Sequence, residues 1–216
     1  MGQVFGWRSA FGLVATGGAL LFVLLPIFVP TRPADEGASP ISELSAFRSL
    51  QVWLTLVTAA IGFGGMFAVY SYITSTLTEV TGLAEAQVPW MLALWGLGMV
   101  VGNTAGGWLA DKALTRAILG FFVWTVATLA LFLVGIGFAL VPALQARLMD
   151  AAPRAQSLAS AMNHSAFNLS NAIGAWTGGF AISAGLGWAA TGYVGAALAL
   201  AGLVIFIIAL KLKERD

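Results

Sequence analysis

The 216 residues include only 19 formally charged side chains, ten basic and nine acidic, while 59% are hydrophobic and mean hydropathy is +0.91. A soluble domain carries roughly 25% charged residues, so this is a membrane chain. A net charge of +1 argues against a nucleic-acid partner, and zero cysteines remove disulfides, thiolate catalysis and Cys-ligated zinc.

Six apolar runs follow one another: Ser9 to Pro30, Val52 to Leu77, Val88 to Leu109, Ala117 to Ala146, Ser157 to Leu186 and Ala189 to Leu210. Each is long enough to cross a hydrocarbon core about 30 Å thick, which takes about 20 helical residues. The runs are continuously apolar, without the alternation of membrane β-strands, so the expected fold is all-α and polytopic. All 19 charges fall between the runs or at the chain ends, as a charge at the bilayer centre costs at least about 2.5 kcal/mol. The first run lacks a small-x-small cleavage site and reads as a span rather than a signal peptide. Thr31 to Gln51, with Pro33, Pro40 and five charges, is the linker-like segment.

Basic residues in short connectors set the expected orientation. The turn Asp111 to Arg116 holds two, the connector Arg147 to Arg154 two and the C-terminal tail three, which predicts that all are cytoplasmic. Thr78 to Gln87 and Gly187 to Trp188 hold none and should face outward. The fourth run conflicts with this rule. It must start and finish inside, yet its 30 residues suffice for about one and a half crossings. A hairpin at Gly135-Ile136-Gly137 would leave two short halves, so the expectation is one long helix, kinked where Gly135, Gly137 and Pro142 weaken the backbone ladder.

Two constellations stand out. The turn reads Gly107-x-x-x-Asp111-Lys112-x-x-x-Arg116, in which Gly106 and Gly107 permit close helix approach, Asp111 accepts hydrogen bonds and the cations stay with the inner leaflet. A plain positive-inside connector would read the same way. In the fifth run His164, Asn168 and Asn171 share one helical face by the i, i+4, i+7 rule, with Asn163 and Phe167 beside it. Intramembrane polar residues normally face a bundle interior or a water-filled cavity, so this face is expected to line a path; helix-to-helix hydrogen bonding is the alternative. His164 is the only histidine, and no carboxylate cluster accompanies it, so neither a metal nor a cofactor is expected. Glycines at Gly98, Gly102 and Gly106, and at Gly174 and Gly178, suit close helix contact. Trp53, Trp90, Trp108 and Trp188 lie near span ends as interfacial anchors.

The turn resembles the cytoplasmic loop of the major facilitator superfamily, Gly-x-x-x-Asp-Arg/Lys-x-Gly-Arg-Arg, with Leu114 where the pattern has glycine. Gly6-Trp7-Arg8-Ser9-Ala10-Phe11 is similar to the start of that family's sixth span. Gly137 to Pro142 and Asn163 to Asn168 are similar to the tenth and eleventh spans of its arabinose-efflux-like exporters. The resemblance implies half of a major-facilitator fold: residues 1–30 as the sixth span, 31–51 as a cytoplasmic linker, and 52–216 as the C-terminal bundle, shortened by about one span within 117–146, near Leu129 to Ile136. It implies alternating-access export of small organic molecules such as sugars or drugs, from a bacterial inner membrane, with a cytoplasmic C-terminus. Asn163, His164, Asn168 and Asn171 would line the path, while Gly107, Asp111, Lys112 and Arg116 would latch the cytoplasmic side. Partners would be the bilayer, the substrate and an N-terminal half. No span contains Asp or Glu, so proton coupling would need a carboxylate in that other half. The alternative is a truncated, non-transporting bundle that acts only with a partner half. An enzyme is not expected, since no span holds paired carboxylates or a nucleophile with an orienting acid.

Overall fold

The computed structural model describes residues 6–29, 44–130, 140–153 and 155–213. Among them every regular element is helical and no strand occurs, as the continuous apolar runs require. The chain forms two compact units, Met1–Ala38 and Ser39–Asp216. In the first, helix α1 (Trp7–Phe28) begins at Gly6, whose φ of 76° suits glycine, and Ser9 Oγ donates to the Gly6 carbonyl at 2.7 Å. Pro26 lies in its last turn. The linker-like residues 30–43 lie outside the described residues.

The second unit contains α2 (Leu50–Gly62), α3 (Gly64–Tyr70), short helical turns at Ile73–Ser75 and Thr76–Val80, α4 (Val88–Ala130), α5 (Leu140–Ala151), α6 (Gln156–Ala181) and α7 (Ala190–Lys213). Phe11–Phe28, Leu50–Tyr70, Glu85–Ala130 and Ala190–Lys213 are long and apolar enough to cross a membrane. The 26-residue α6 matches them in length, but its asparagines and serines keep its hydropathy lower.

Glycines fix the packing. A methyl group on Gly202 would collide with the backbone of Gly62, and one on Gly65 with the carbonyl of Gly195, so α7 lies backbone to backbone along α2 and α3. The paired residues run in opposite order, and Gln51 Nε2 extends the pairing by donating to the Ala209 carbonyl at 3.0 Å, so α7 is antiparallel to α2 and α3. On the other side a methyl on Gly174 would strike Gly64, and Tyr72 OH donates to the Ala175 carbonyl at 2.7 Å. This Gly64, Ala68, Tyr72 to Gly174, Gly178, Gly179 succession makes α6 parallel to α3. The interruption at Phe63, between α2 and α3, sits where Gly62, Gly64 and Gly65 meet three other glycines.

The expected turn at Asp111 to Arg116 is present as a break in α4 at Ala113 (φ −159°, ψ 69°). Before it, the Trp95 ring lies 5.3 Å from that of Tyr70. After it, Leu129 reaches Gly65 and Gly195. A straight helix would separate Trp95 from Leu129 by about 50 Å, so the chain reverses at Ala113 and its two arms are antiparallel.

The single long helix expected over Ala117 to Ala146 is not formed. Helix α4 is described to Ala130 and α5 from Leu140; the hairpin residues Gly135 to Gly137 and most of the shortening point, Leu129 to Ile136, lie outside the described residues. The rings of Phe122 and Phe206 lie 6.4 Å apart, and Arg147 Nη2 makes a long 3.5 Å hydrogen bond to Gln51 Oε1, beside Ala209. A continuous helix would carry Arg147 nearly 40 Å from Phe122, whereas Phe206 and Ala209 are one turn apart. The path from Ala117 therefore returns to the Gln51 end of the bundle. Ile118, Phe122, Leu144, Leu148 and Phe206 are buried together in one core, with at most 1% exposure each, and that burial favours the return.

Gly65→Ala should destabilise the bundle by about 1–3 kcal/mol through overpacking against Gly195. Gly120→Ala, where nothing lies within 4 Å of the new carbon, should lose nothing. Thermal unfolding in detergent distinguishes the two.

Candidate functional site

Helix α6 is two-sided because its small residues recur at heptad-like intervals. Ala159, Asn163, Ala166, Ser170, Gly174 and Gly178 are buried on one side. His164, Asn168 and Asn171 are all exposed on the other, with Ser165. The structure thus gathers three of the four residues expected to line a path and separates the fourth. Asn163 is 1% exposed and faces inward, and neither its Oδ1 nor its Nδ2 has a hydrogen-bond partner among the described residues. Ser170 Oγ and Thr58 Oγ1 are also buried without partners. A buried amide left unpaired costs about 1–3 kcal/mol, so the interior polar groups of α6 and α2 weaken the bundle that contains them.

On another flank of α6, away from this strip, α2 and α6 leave a groove of about 230 Å³. Trp53, Leu56 and Val57 form its α2 wall, and Met162, Ser165 and Leu169 its α6 wall. A concave apolar surface of this kind can hold the apolar part of an uncharged or amphipathic molecule. It offers no carboxylate or cation for ionic recognition. Phe63 stacks behind the groove on Phe167, with ring centroids 4.8 Å apart, and holds α6 at a fixed distance from the break between α2 and α3.

The turn motif is also divided. Asp111, Lys112 and Arg116 are exposed around the break at Ala113, and Lys112 Nζ sits 3.6 Å from the centroid of the Trp108 ring. Gly107 has open space where a side chain would be, so no close approach within this bundle requires it. Gly106 and Gly102 are buried in α4. Arg147, read in the sequence only as an orientation signal, is 5% exposed and bonded to Gln51. Its Nε has no hydrogen-bond partner among the described residues. The fully apolar flanks Leu144 and Leu148 were the signal that this cation would be drawn inward. Arg154, the other basic residue of that connector, lies outside the described residues. Gly62, Gly64, Gly65, Gly195 and Gly202 were also missed; the triplet Gly62, Gly64, Gly65 within an apolar run was the available sign.

An all-α bundle with membrane-length apolar helices defines an integral membrane protein. The sequence profile of the Major Facilitator Superfamily matches residues 1–138. The chain belongs to that superfamily. It is 36% identical to the "Inner membrane transport protein YdhP" of Escherichia coli, with 99% of this chain and 59% of that protein covered. It is 29% identical to "Putative transporter AraJ" of Escherichia coli (100% and 59% covered) and 31% identical to a "Probable sugar efflux transporter" of Helicobacter pylori (99% and 59% covered). The chain therefore spans about 59% of the length of these relatives. The YdhP match extends over 233 aligned positions, 17 more than the 216 residues here, so YdhP carries at least that many residues without a counterpart.

If Asn163 serves only packing, Asn163→Leu should leave thermal stability unchanged or raise it by about 1 kcal/mol. A loss above about 2 kcal/mol in detergent unfolding would show a hydrogen-bonding role inside the bundle.

Proposed function

We propose that this chain is the C-terminal part of an alternating-access exporter of small organic molecules such as sugars or drugs. The observation that carries the reading is the strip of His164, Asn168 and Asn171, exposed on a helix whose opposite face is buried. Polar side chains at membrane depth face protein or water rather than lipid, and this bundle leaves them uncovered. An N-terminal half facing this strip of α6 would complete the path, with substrate against the strip near the bilayer midplane. The names of the relatives, transporters and sugar efflux proteins, support this substrate class. The role is transport rather than catalysis, without a cofactor, and proton coupling would draw on a carboxylate of the other half.

In this reading residues 1–30 are the sixth span, 31–51 the linker and 52–216 the bundle, in a bacterial inner membrane with the Gln51 end and the C-terminus in the cytoplasm. The turn with Gly107, Asp111, Lys112 and Arg116 would latch that side. The open space at Gly107 supports a partner outside this bundle. The region 117–146 would be shortened by about one span, which the surplus of aligned residues in YdhP supports. A second reading, a bundle that does not transport by itself, draws on the same region: the 30 residues from Ala117 to Ala146 make at most about 45 Å of helix, against about 60 Å for two crossings.

The absence of native cysteine makes labelling direct. Ala84→Cys should react with an impermeant maleimide on intact cells and Asp150→Cys only after permeabilisation; the reverse pattern would invert the orientation. Cells producing the chain with an N-terminal half should expel a labelled sugar or drug, and His164→Leu with Asn168→Leu should slow efflux about tenfold. Undiminished efflux in the double variant would remove the path assignment. Efflux by the chain alone would remove the second reading.

A further inference from the structure

The break in α4 creates a second feature, unrelated to the polar strip. Where the two arms diverge at Ala113, they enclose a cavity of about 510 Å³, twice the volume of the groove between α2 and α6. Leu109, Phe121 and Trp124 wall it, Gly120 leaves its floor open, and Lys112 and Arg116 also line it. Leu109 and Trp124 are exposed, so the cavity opens on the outer surface of the bundle. Among the described residues, all that line it belong to α4.

We propose that this cavity seats an anionic glycerophospholipid from the leaflet at the Gln51 end, with an acyl chain along the apolar walls and the phosphate on Lys112 and Arg116. The inference rests on the chain lying in a bilayer, not on the transport reading. Charge complementarity selects the occupant. The cavity is lined by two cations and no carboxylate, and among the described residues neither Lys112 nor Arg116 forms an ion pair. Asp111, the only carboxylate of the turn, is exposed but does not line the cavity. The guanidinium of Arg116 offers a planar fork for two phosphate oxygens. The Lys112 ammonium, over the Trp108 ring, spends its positive charge on an aromatic face only in part and keeps donors for an anion.

Depth argues for the same ligand. Trp108 is exposed next to the charged turn, and tryptophan so placed marks the headgroup level of a membrane. Basic side chains there meet lipid phosphates, while Trp124 and Phe121, two to three turns farther along the second arm, lie at acyl-chain depth. A lipid with a net negative charge gains from both cations, whereas a zwitterionic lipid carries its own ammonium to the same place. A soluble phosphate would use the cations but leave the apolar walls empty.

The test is native mass spectrometry of the purified chain in detergent, offered equal amounts of phosphatidylglycerol and phosphatidylcholine. The chain should retain phosphatidylglycerol at least about threefold over phosphatidylcholine. Lys112→Ala with Arg116→Ala should abolish the preference, while Lys211→Ala with Lys213→Ala, which removes two basic residues from the last turn of α7, should not. Gly120→Leu keeps both cations and, because nothing lies within 4 Å of its new carbon, fills the cavity without a clash. It should reduce retained phosphatidylglycerol about as far as the double variant, with an unchanged unfolding temperature. The proposal fails if Gly120→Leu retains phosphatidylglycerol fully, which would mean surface charge attraction alone. It also fails if the tail variant loses the preference to the same extent, or if millimolar inorganic phosphate displaces the lipid.

Discussion

Backbone contact between helices is the constraint on which the second unit depends. Lipid tails are as apolar as leucine, so helices in a bilayer gain little by hiding side chains from their surroundings and associate through close packing. Here the closest packing follows one seam, in which Gly62, Gly64 and Gly65 of α2 and α3 meet Gly202, Gly174 and Gly195. The seam holds α7 antiparallel and α6 parallel to the same central helix. It also fixes where Phe122 and Phe206 can meet, and hence where the second arm of α4 lies. The small residues bring the backbones together, and the large ones fill the remaining space.

The seam also explains which parts of the architecture could be read in the chain. Composition and run length determine the helical class, because unpaired backbone groups are not tolerated in hydrocarbon. The reversal at Ala113 was legible because charges and a small-residue step mark it. The return of the chain before Arg147 was legible only in part: basic residues at both ends of the run ask for it while length favours a single crossing, and what decides is burial of Ile118, Leu144 and Leu148 in the core shared with α2 and α7, a tertiary fact. Helical periodicity correctly grouped His164, Asn168 and Asn171. It could not separate Asn163 from them, because one residue along a helix turns the side chain by only about 100°, and the direction of the packed face decides on which side of that step burial begins.

Arg147 shows how position along the bundle governs the cost of a charge. At mid-membrane an unpaired guanidinium would be prohibitive, yet this one is 5% exposed with a long hydrogen bond to a neutral glutamine. It lies at the level of Gln51 and the Ala209 carbonyl, close to the end of α7, and Asp150 follows one turn later in α5. The same brace, Arg147 to Gln51 to the Ala209 carbonyl, ties α5, α2 and α7 together at one end. At the opposite end Tyr72 performs the equivalent task between α3 and α6, its hydroxyl reaching the Ala175 carbonyl across Gly178 and Gly179.

These two braces hold the helices they join in different ways. Tyr72 bonds to a carbonyl near the C-terminal end of α6, and the residue before it, Gly174, meets the backbone of Gly64 too closely for any side chain, so α3 and α6 are packed as one pair. Arg147 makes a single long bond to Gln51 at the other end, where Leu144 and Leu148 of α5 are also buried. A rocking motion of the whole bundle would preserve the glycine seam and both braces unchanged. The polar strip therefore stands on a helix held by backbone contact, which lets it present His164, Asn168 and Asn171 in fixed register.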